Sequence, residues 1–321
     1  MRGNLRTATA AAALQVGTIG LFVAVCAFFA LMSPTFLLPA NLLNILRQTA
    51  ILAVLSFGMT TVIVVTSGEA DMSVGGVTGF AAALTVTLLK LGAGTALAVL
   101  SGLGAGLALG FLNGLLVTRV GLLPFLATLA TLNIGLGLEQ WLTRGTYIPY
   151  SDPLIGLVAN ENIYGVPAAA VLLLFVFLAF YLLLDHSPWG RKVYAIGGNW
   201  QVARASGIDV ARHTTLAFAL SGLSCGLAGV LLVGRLSGLT PLAASPLLLD
   251  TLLAGYISGT VSSSGTPNVA GALFGALLVG VLTNGLAVIR VPTFYMNLVK
   301  GLLVLLVVTA NAIQRRQAAV R

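Results

Sequence analysis

The chain is a succession of apolar runs, each about as long as the hydrocarbon core of a bilayer is thick. A helix needs roughly 20 apolar residues to cross that core. Nine runs meet this length: 14–33, 45–66, 74–91, 94–117, 123–142, 166–184, 214–234, 268–289 and 296–313. A weaker tenth covers about 242–260 and is interrupted by Asp250 and several small residues. With 58% hydrophobic and 7% charged residues, against about 25% charged in a soluble domain, the solvent for most of the chain is lipid. The sequence therefore reads as an all-α integral membrane protein, a polytopic bundle of about ten transmembrane helices forming one domain over residues 1–321. Arg2 and Arg6 ahead of the first run resemble a secretory signal, but Leu14–Met32 is too long for a typical h-region and is read as a retained first helix.

Lys and Arg are retained on the cytoplasmic side of a membrane protein. With ten spans and the N-terminus inside, ten basic residues fall inside: Arg2, Arg6, Arg119, Arg191, Lys192, Arg204, Arg212, Arg315, Arg316 and Arg321. Five fall outside: Arg47, Lys90, Arg144, Arg235 and Arg290. Lys300 lies within the last run. The bias favours both termini inside, and it explains the net charge of +8 without nucleic acid. Glycines recur at small-xxx-small spacing, as at Gly102, Gly106 and Gly110, which lets helices approach closely in lipid.

The longest polar interruption is Pro188–Arg212, PWGRKVYAIGGNWQVARASGIDVAR. It exceeds what a turn between spans requires, and the charge bias places it in the cytoplasm. The chain carries no G-x-x-x-x-G-K-[ST], so it has no P-loop to cradle ATP phosphates. It has no HExxH or CxxC motif, and its two histidines, His186 and His213, edge the loop. Cys26 and Cys225 lie in apolar runs and read as small buried hydrophobes. No catalytic or metal-binding constellation is visible, and no bound cofactor is expected.

A second interruption, Thr66–Gly76 (TSGEADMSVGG), carries Glu69 and Asp71. It reads either as a cytoplasmic turn in which Asp71 or Ser73 caps the next helix, or as a broken helix beside a solute route. Polar residues within the runs, Asn44, Gln48, Thr128, Thr131, Asn133, Glu139, Gln140 and Asn284, serve interhelical hydrogen bonds or a polar path. Glu139 is the clear mid-run acid besides Asp250, a thin basis for an ion-coupled secondary transporter. A faint echo between 110–115 and 280–286 fits the repeats of transporters.

Four fragments in order resemble the inner-membrane permease subunit of bacterial ABC importers for simple sugars of the ribose, xylose and arabinose type. That group is related to the branched-chain amino acid permeases. Phe36–Gln48 (FLLPANLLNILRQ) looks like the approach to the family's second span. Ser67–Gly75 (SGEADMSVG) looks like its S-G-G-I-D-L-S-V-G, and Asn113–Gly145 is close to its N-G-L-L-V…P-F-I-x-T-L-x-T pattern. The long loop is similar to G-R-x-x-Y-A-I-G-G-N…A-x-x-S-G-I through Gly190, Arg191, Tyr194, Ala195, Ile196, Gly197, Gly198, Asn199, Ala203, Ser206, Gly207 and Ile208.

The resemblance implies a pathway formed with a second permease, as a homodimer or heterodimer. It further implies cytoplasmic ATPase subunits that bind the ATP, a periplasmic solute-binding protein, and alternating access for a small polar solute across the bacterial inner membrane. Residues 188–212 would then be the ATPase coupling loop. Arg191 and Arg204 would meet acidic groups there, while Gly197, Gly198 and Gly207 would give sharp turns. The candidate pathway comprises Asn44, Gln48, Ser67, Gly68, Glu69, Asp71, Ser73, Phe125, Thr128, Thr131, Asn133 and Asn284. Two departures, Glu69-Ala70 for G-I and Tyr256–Gly265 for V-L-G-G-T-S-L-S-G-G-x-G, leave the solute open among simple sugars, an autoinducer sugar, a nucleoside or an amino acid. They also fit a non-identical partner permease.

Overall fold

The structure, a computed structural model, describes the backbone of residues 2–262 and 265–319 and the side chains of residues 17–262 and 265–309. The side chains of Arg2, Arg6, Arg315 and Arg316, and all of Arg321, Ser263 and Ser264, lie outside the described residues.

The helices are α1 (Arg2–Met32), α2 (Pro39–Val65), α3 (Val74–Lys90), α4 (Thr95–Leu115), α5 (Pro124–Thr143), α6 (Pro153–Asn160), α7 (Ala168–Phe180), α8 (Pro188–Gly198), α9 (Trp200–Ala205), α10 (Val210–Leu236), α11 (Ser245–Val261), α12 (Val269–Val288) and α13 (Thr293–Ala319). One wider turn extends α4 over Leu116–Val120 and α7 over Tyr181–Asp185. Each of the ten apolar runs lies in a helix. Five stretches are long and apolar enough to cross a membrane: Pro39–Val65, Thr95–Val120, Ala168–Asp185, Val210–Leu236 and Val269–Val288. Gly17–Met32, Val74–Lys90 and Thr293–Thr309 are shorter apolar helices. The chain is an all-α membrane protein.

The helix starts follow from local chemistry. Proline stands in the first turn of α2, α5, α6, α8 and α11, where its missing N–H costs nothing. Asp152, Asn199, Asp209 and Asn268 accept hydrogen bonds from the first free amides of α6, α9, α10 and α12.

Lipid tails are as apolar as leucine, so close packing and hydrogen bonds hold such a bundle together. Helix α2 is its axis: 94% of its most apolar stretch is buried, against α7, α10, α11 and α12. Helices α4 and α10 form the tightest seam. A methyl group on Gly106 would strike the Gly222 carbonyl, and one on Gly222 would strike that of Gly106. The small-xxx-small spacing of α4 is thus used for backbone contact with α10. Asp250 and Lys300, the two charges that interrupted late runs, pair with each other. Lys300 Nζ stands 2.8 Å from Asp250 Oδ1, and both residues are buried between α11 and α13.

The connections sort to two ends of the bundle. At one end Ser67 Oγ donates to the Gly197 carbonyl, and Tyr194 Oη donates to the Pro267 carbonyl. At the other end Arg47 donates to Asn162, Thr95 donates to Asp152, and Asn160 donates to the Gly234 carbonyl. A short antiparallel ribbon there pairs Ile148–Pro149 with Gly238–Leu239. Helix α6 lies in the 143–165 connection at that same end. Cys26 and Cys225 are both free thiols.

Candidate functional site

The polar stretch 188–212 folds as two short helices in sequence, α8 and α9, leading into α10. Ser187 Oγ accepts from the Gly190 amide at 3.1 Å and starts α8. Asn199 Oδ1 accepts from the Gln201 and Val202 amides and starts α9 directly after α8 ends. Gly207, at φ +82°, supplies the left-handed residue that turns the chain into α10.

The loop has an outer and an inner face. Arg191, Gly198, Asn199, Arg204, Ser206 and Gly207 are exposed, while Tyr194, Gly197 and Ile208 are half-buried and Ala203 is buried. Tyr194 Oη donates to Asp185 Oδ1 at 2.8 Å and to the Pro267 carbonyl at 3.0 Å. Burial, and then the Asp185 carboxylate, hold its phenol far above the usual tyrosine range, so it stays a donor. Gly197 packs against the end of α2, where a methyl would collide with the Val64 carbonyl. Gly198 meets nothing within 4 Å and lies on the outer face. The need for glycine therefore falls on Gly197, for close approach, and on Gly207, for its backbone angle. Gly198 stands at the junction of α8 and α9, and its φ is not left-handed.

Trp200 and Val202 stand out on the outer face, 50% and 60% exposed. Sequence reasoning passed over both, although two large apolar residues in a polar loop were the available signal. Beneath the loop, a cavity of about 710 Å³ opens between residues 65–69, 117–124 and 196–214. Its polar lining includes Ser67, Glu69, Thr118, Arg204, Asp209 and Thr214.

The Thr66–Ser73 connection between α2 and α3 is non-helical. Its two acids part company. Asp71 is buried: Oδ1 accepts from the Ser73 amide and hydroxyl, and Oδ2 accepts from Ser221 Oγ at 2.8 Å. Ser73 Oγ accepts from Asn113 Nδ2 at 2.9 Å, and Thr131 Oγ1 donates to Asn113 Oδ1. Thr128 Oγ1 accepts from the Met72 amide at 3.1 Å. One buried network thus joins the connection to α4, α5 and α10. The side chain of neither Asp71 nor Ser73 caps α3 from the N-cap position; Asp71 folds back onto Ser73 instead. Glu69 is exposed, and its Oε2 stands 3.4 Å from the Phe125 amide at the start of α5.

The candidate pathway residues are therefore dispersed. Asp71, Ser73, Thr128, Thr131 and Asn284 are buried inside the subunit. Asn284 accepts from Asn41 at 3.0 Å, and Asn44 accepts from Arg235 at 3.4 Å. Asn44, Gln48 and Gly68 are half-buried, whereas Ser67, Glu69, Phe125 and Asn133 are exposed. Glu139 is buried against Gly79 and accepts from the Leu242 amide at 2.8 Å, anchoring the connection between α10 and α11. Among the described residues, no three His, Cys, Asp or Glu side chains gather as a metal site.

The sequence pattern of the family described as "Branched-chain amino acid transport system / permease component" matches residues 41–308. The chain is 39% identical over 298 residues to the ribose import permease protein RbsC of Bacillus subtilis (strain 168), covering 90% of each chain. It is 35% identical over 301 residues to the ribose import permease protein RbsC of Escherichia coli (strain K12), covering 92% of this chain and 93% of the relative. To the xylose transport system permease protein XylH of Escherichia coli (strain K12) it is 30% identical over 365 residues, covering 94% of this chain and 92% of the relative. All three relatives are named as permeases, and permeases are transport components rather than enzymes. The pattern and these relatives span the membrane helices and the α8–α9 loop alike, and the chain belongs to the family of branched-chain amino acid transport system permease components.

Proposed function

We propose that this chain is the transmembrane subunit of an ATP-driven ABC importer of the bacterial inner membrane, forming the route for a simple sugar or a related small solute. The carrying observation is the 39% identity to a ribose import permease over 90% of both chains. The route is completed by a second permease subunit, identical or not. A periplasmic binding protein delivers the solute, and ATP is bound and hydrolysed on separate cytoplasmic ATPase subunits. This chain itself holds no cofactor.

Ten crossings with both termini inside put residues 66–73, 117–123, 186–209 and 265–268 at the cytoplasmic end, in keeping with the contacts that join them. The α8–α9 loop is the ATPase docking element, and its exposed Trp200 is an anchor of the kind that carries binding energy at interfaces, with Val202 beside it adding apolar surface. Alternating access follows when the partner moves this loop.

The test is reconstitution of the whole transporter in proteoliposomes with a panel of labelled pentoses, nucleosides and amino acids. The proposal expects uptake that requires ATP and the binding protein and prefers pentoses. Uptake without ATP, or a preference for amino acids, would overturn it. Tagging each connection with a single accessible cysteine tests the topology: labelling at 186–209 from the outside would refute it.

A further inference from the structure

We propose that the turn Ser67–Gly68–Glu69 is the receiver of the α8–α9 loop, the contact through which movement of that loop reaches α5 and α11. The inference rests on the docking role given above to that loop.

Three separate elements meet on these three residues. Ser67 Oγ donates to the Gly197 carbonyl at 2.8 Å, in the last turn of α8. The Gly68 carbonyl accepts from Tyr256 Oη of α11 at 3.1 Å. Glu69 places its carboxylate at the start of α5, 3.4 Å from the Phe125 amide, where the helix dipole and free amides favour negative charge. The turn is held tight from within. Ser67 lies at φ +59° and Gly68 at φ +113°, the Gly68 amide donates to the Ile63 carbonyl at 2.8 Å, and Thr66 Oγ1 donates to the Glu69 carbonyl at 2.7 Å.

Geometry makes this turn a receiver rather than one more loop contact. Gly197 lets α8 press backbone to backbone on the end of α2, so α8 cannot shift without carrying the α2–α3 turn with it. Beside this contact a cavity lies between the turn, through Ser67 and Glu69, and the loop, through Trp200, Arg204 and Asp209, which gives the turn room to move. Two residues beyond the turn, Asp71 is fixed by buried hydrogen bonds to Ser73 and Ser221. The turn is thus a mobile arm ending on a fixed pivot. The same reading gives Glu69 a task, although that acid departs from the family's glycine at this place.

Ser67 and Glu69 are positioning residues, so their test needs a readout that simple destabilisation would not move. That readout is the number of ATP molecules hydrolysed per solute imported, measured on the complete transporter in proteoliposomes. For Ser67→Ala and for Glu69→Gln, ATPase subunits should co-purify in full amount, and the ATP cost per solute should rise about fivefold or more, the scale of a typical coupling between sites. Ser67→Asn, which tolerates the left-handed backbone and restores a donor, should return the ratio close to that of the unmodified protein. Unchanged ratios in both single variants would overturn the receiver role. Loss of ATPase co-purification in the Ser67 or Glu69 variants would also overturn it, by making the turn part of the docking face. Failure of the docking reading itself shows separately, as retention of the ATPase when Trp200 is replaced.

Discussion

Asp71 and Glu69 are two residues apart, yet they belong to regions of opposite character. Around Asp71 the connection is locked: its carboxylate oxygens are both satisfied, and the network runs through Ser73, Asn113 and Thr131 into three helices. Around Glu69 the chain is exposed, holds its neighbours by single hydrogen bonds, and faces an open cavity. The first region resists movement because every buried polar group would lose a partner, at about 1–3 kcal/mol each. The second can move because exposed contacts are replaced by water. A polar residue in a membrane protein therefore cannot be assigned a task from its chemistry alone. What decides is whether its partners are buried with it or stand at an exposed surface.

The comparison can be broken most severely at the fixed side. Asp250→Ala leaves Lys300 buried without its carboxylate, and the purified permease should lose about 3–5 kcal/mol of stability. The double variant Asp250→Leu with Lys300→Met should restore most of it. A thermal melt in detergent that shows the single and double variants equally stable would contradict the buried pair. Gly222→Leu should cost about 3 kcal/mol by forcing α4 off α10, read as a lower melting temperature and reduced yield.

Asp71→Ala should cost about 1–3 kcal/mol, because Ser73 and Ser221 lose their acceptor. The solute preference of the surviving protein should stay the same; an altered preference with full stability would move Asp71 to the solute route. The smallest effect sharpens the contrast between neighbouring glycines. Gly198→Ala should change stability by no more than about 0.5 kcal/mol, whereas Gly197→Ala should separate α8 from α2 and impair ATP-driven uptake. Equal behaviour of the two in an uptake assay would remove the close approach from the account.

The long elements were legible because their cause is local. A run such as 45–66 or 214–234 has one physical solution in lipid, although the helices begin earlier than the runs, at Pro39 and just after Asp209. The glycine seam was legible as a tendency, but its partner was not, since nothing in Gly106 names Gly222. The same holds for Asp250 and Lys300, which read as two separate interruptions 50 residues apart and are one ion pair. Of the candidate site, the loop at 188–212 was legible from its length and polarity. Its two faces were not, because the direction of Tyr194 and Gly197 is set by packing on Asp185 and Val64. Trp200 and Val202 were passed over because the loop was read by its polar and glycine residues, although both are exposed. The pathway residues were read by side-chain type, and tertiary structure then divided them between the subunit interior and its surface.

The central claim is that force from an ATPase enters this chain through the exposed face of α8 and α9. The most direct measurement is co-purification of the ATPase together with ATP-driven uptake for the variant Trp200→Asp, Val202→Asp in the intact transporter. The account predicts that the permease keeps its melting temperature, releases the ATPase and loses uptake. Retention of the ATPase with undiminished uptake would contradict it.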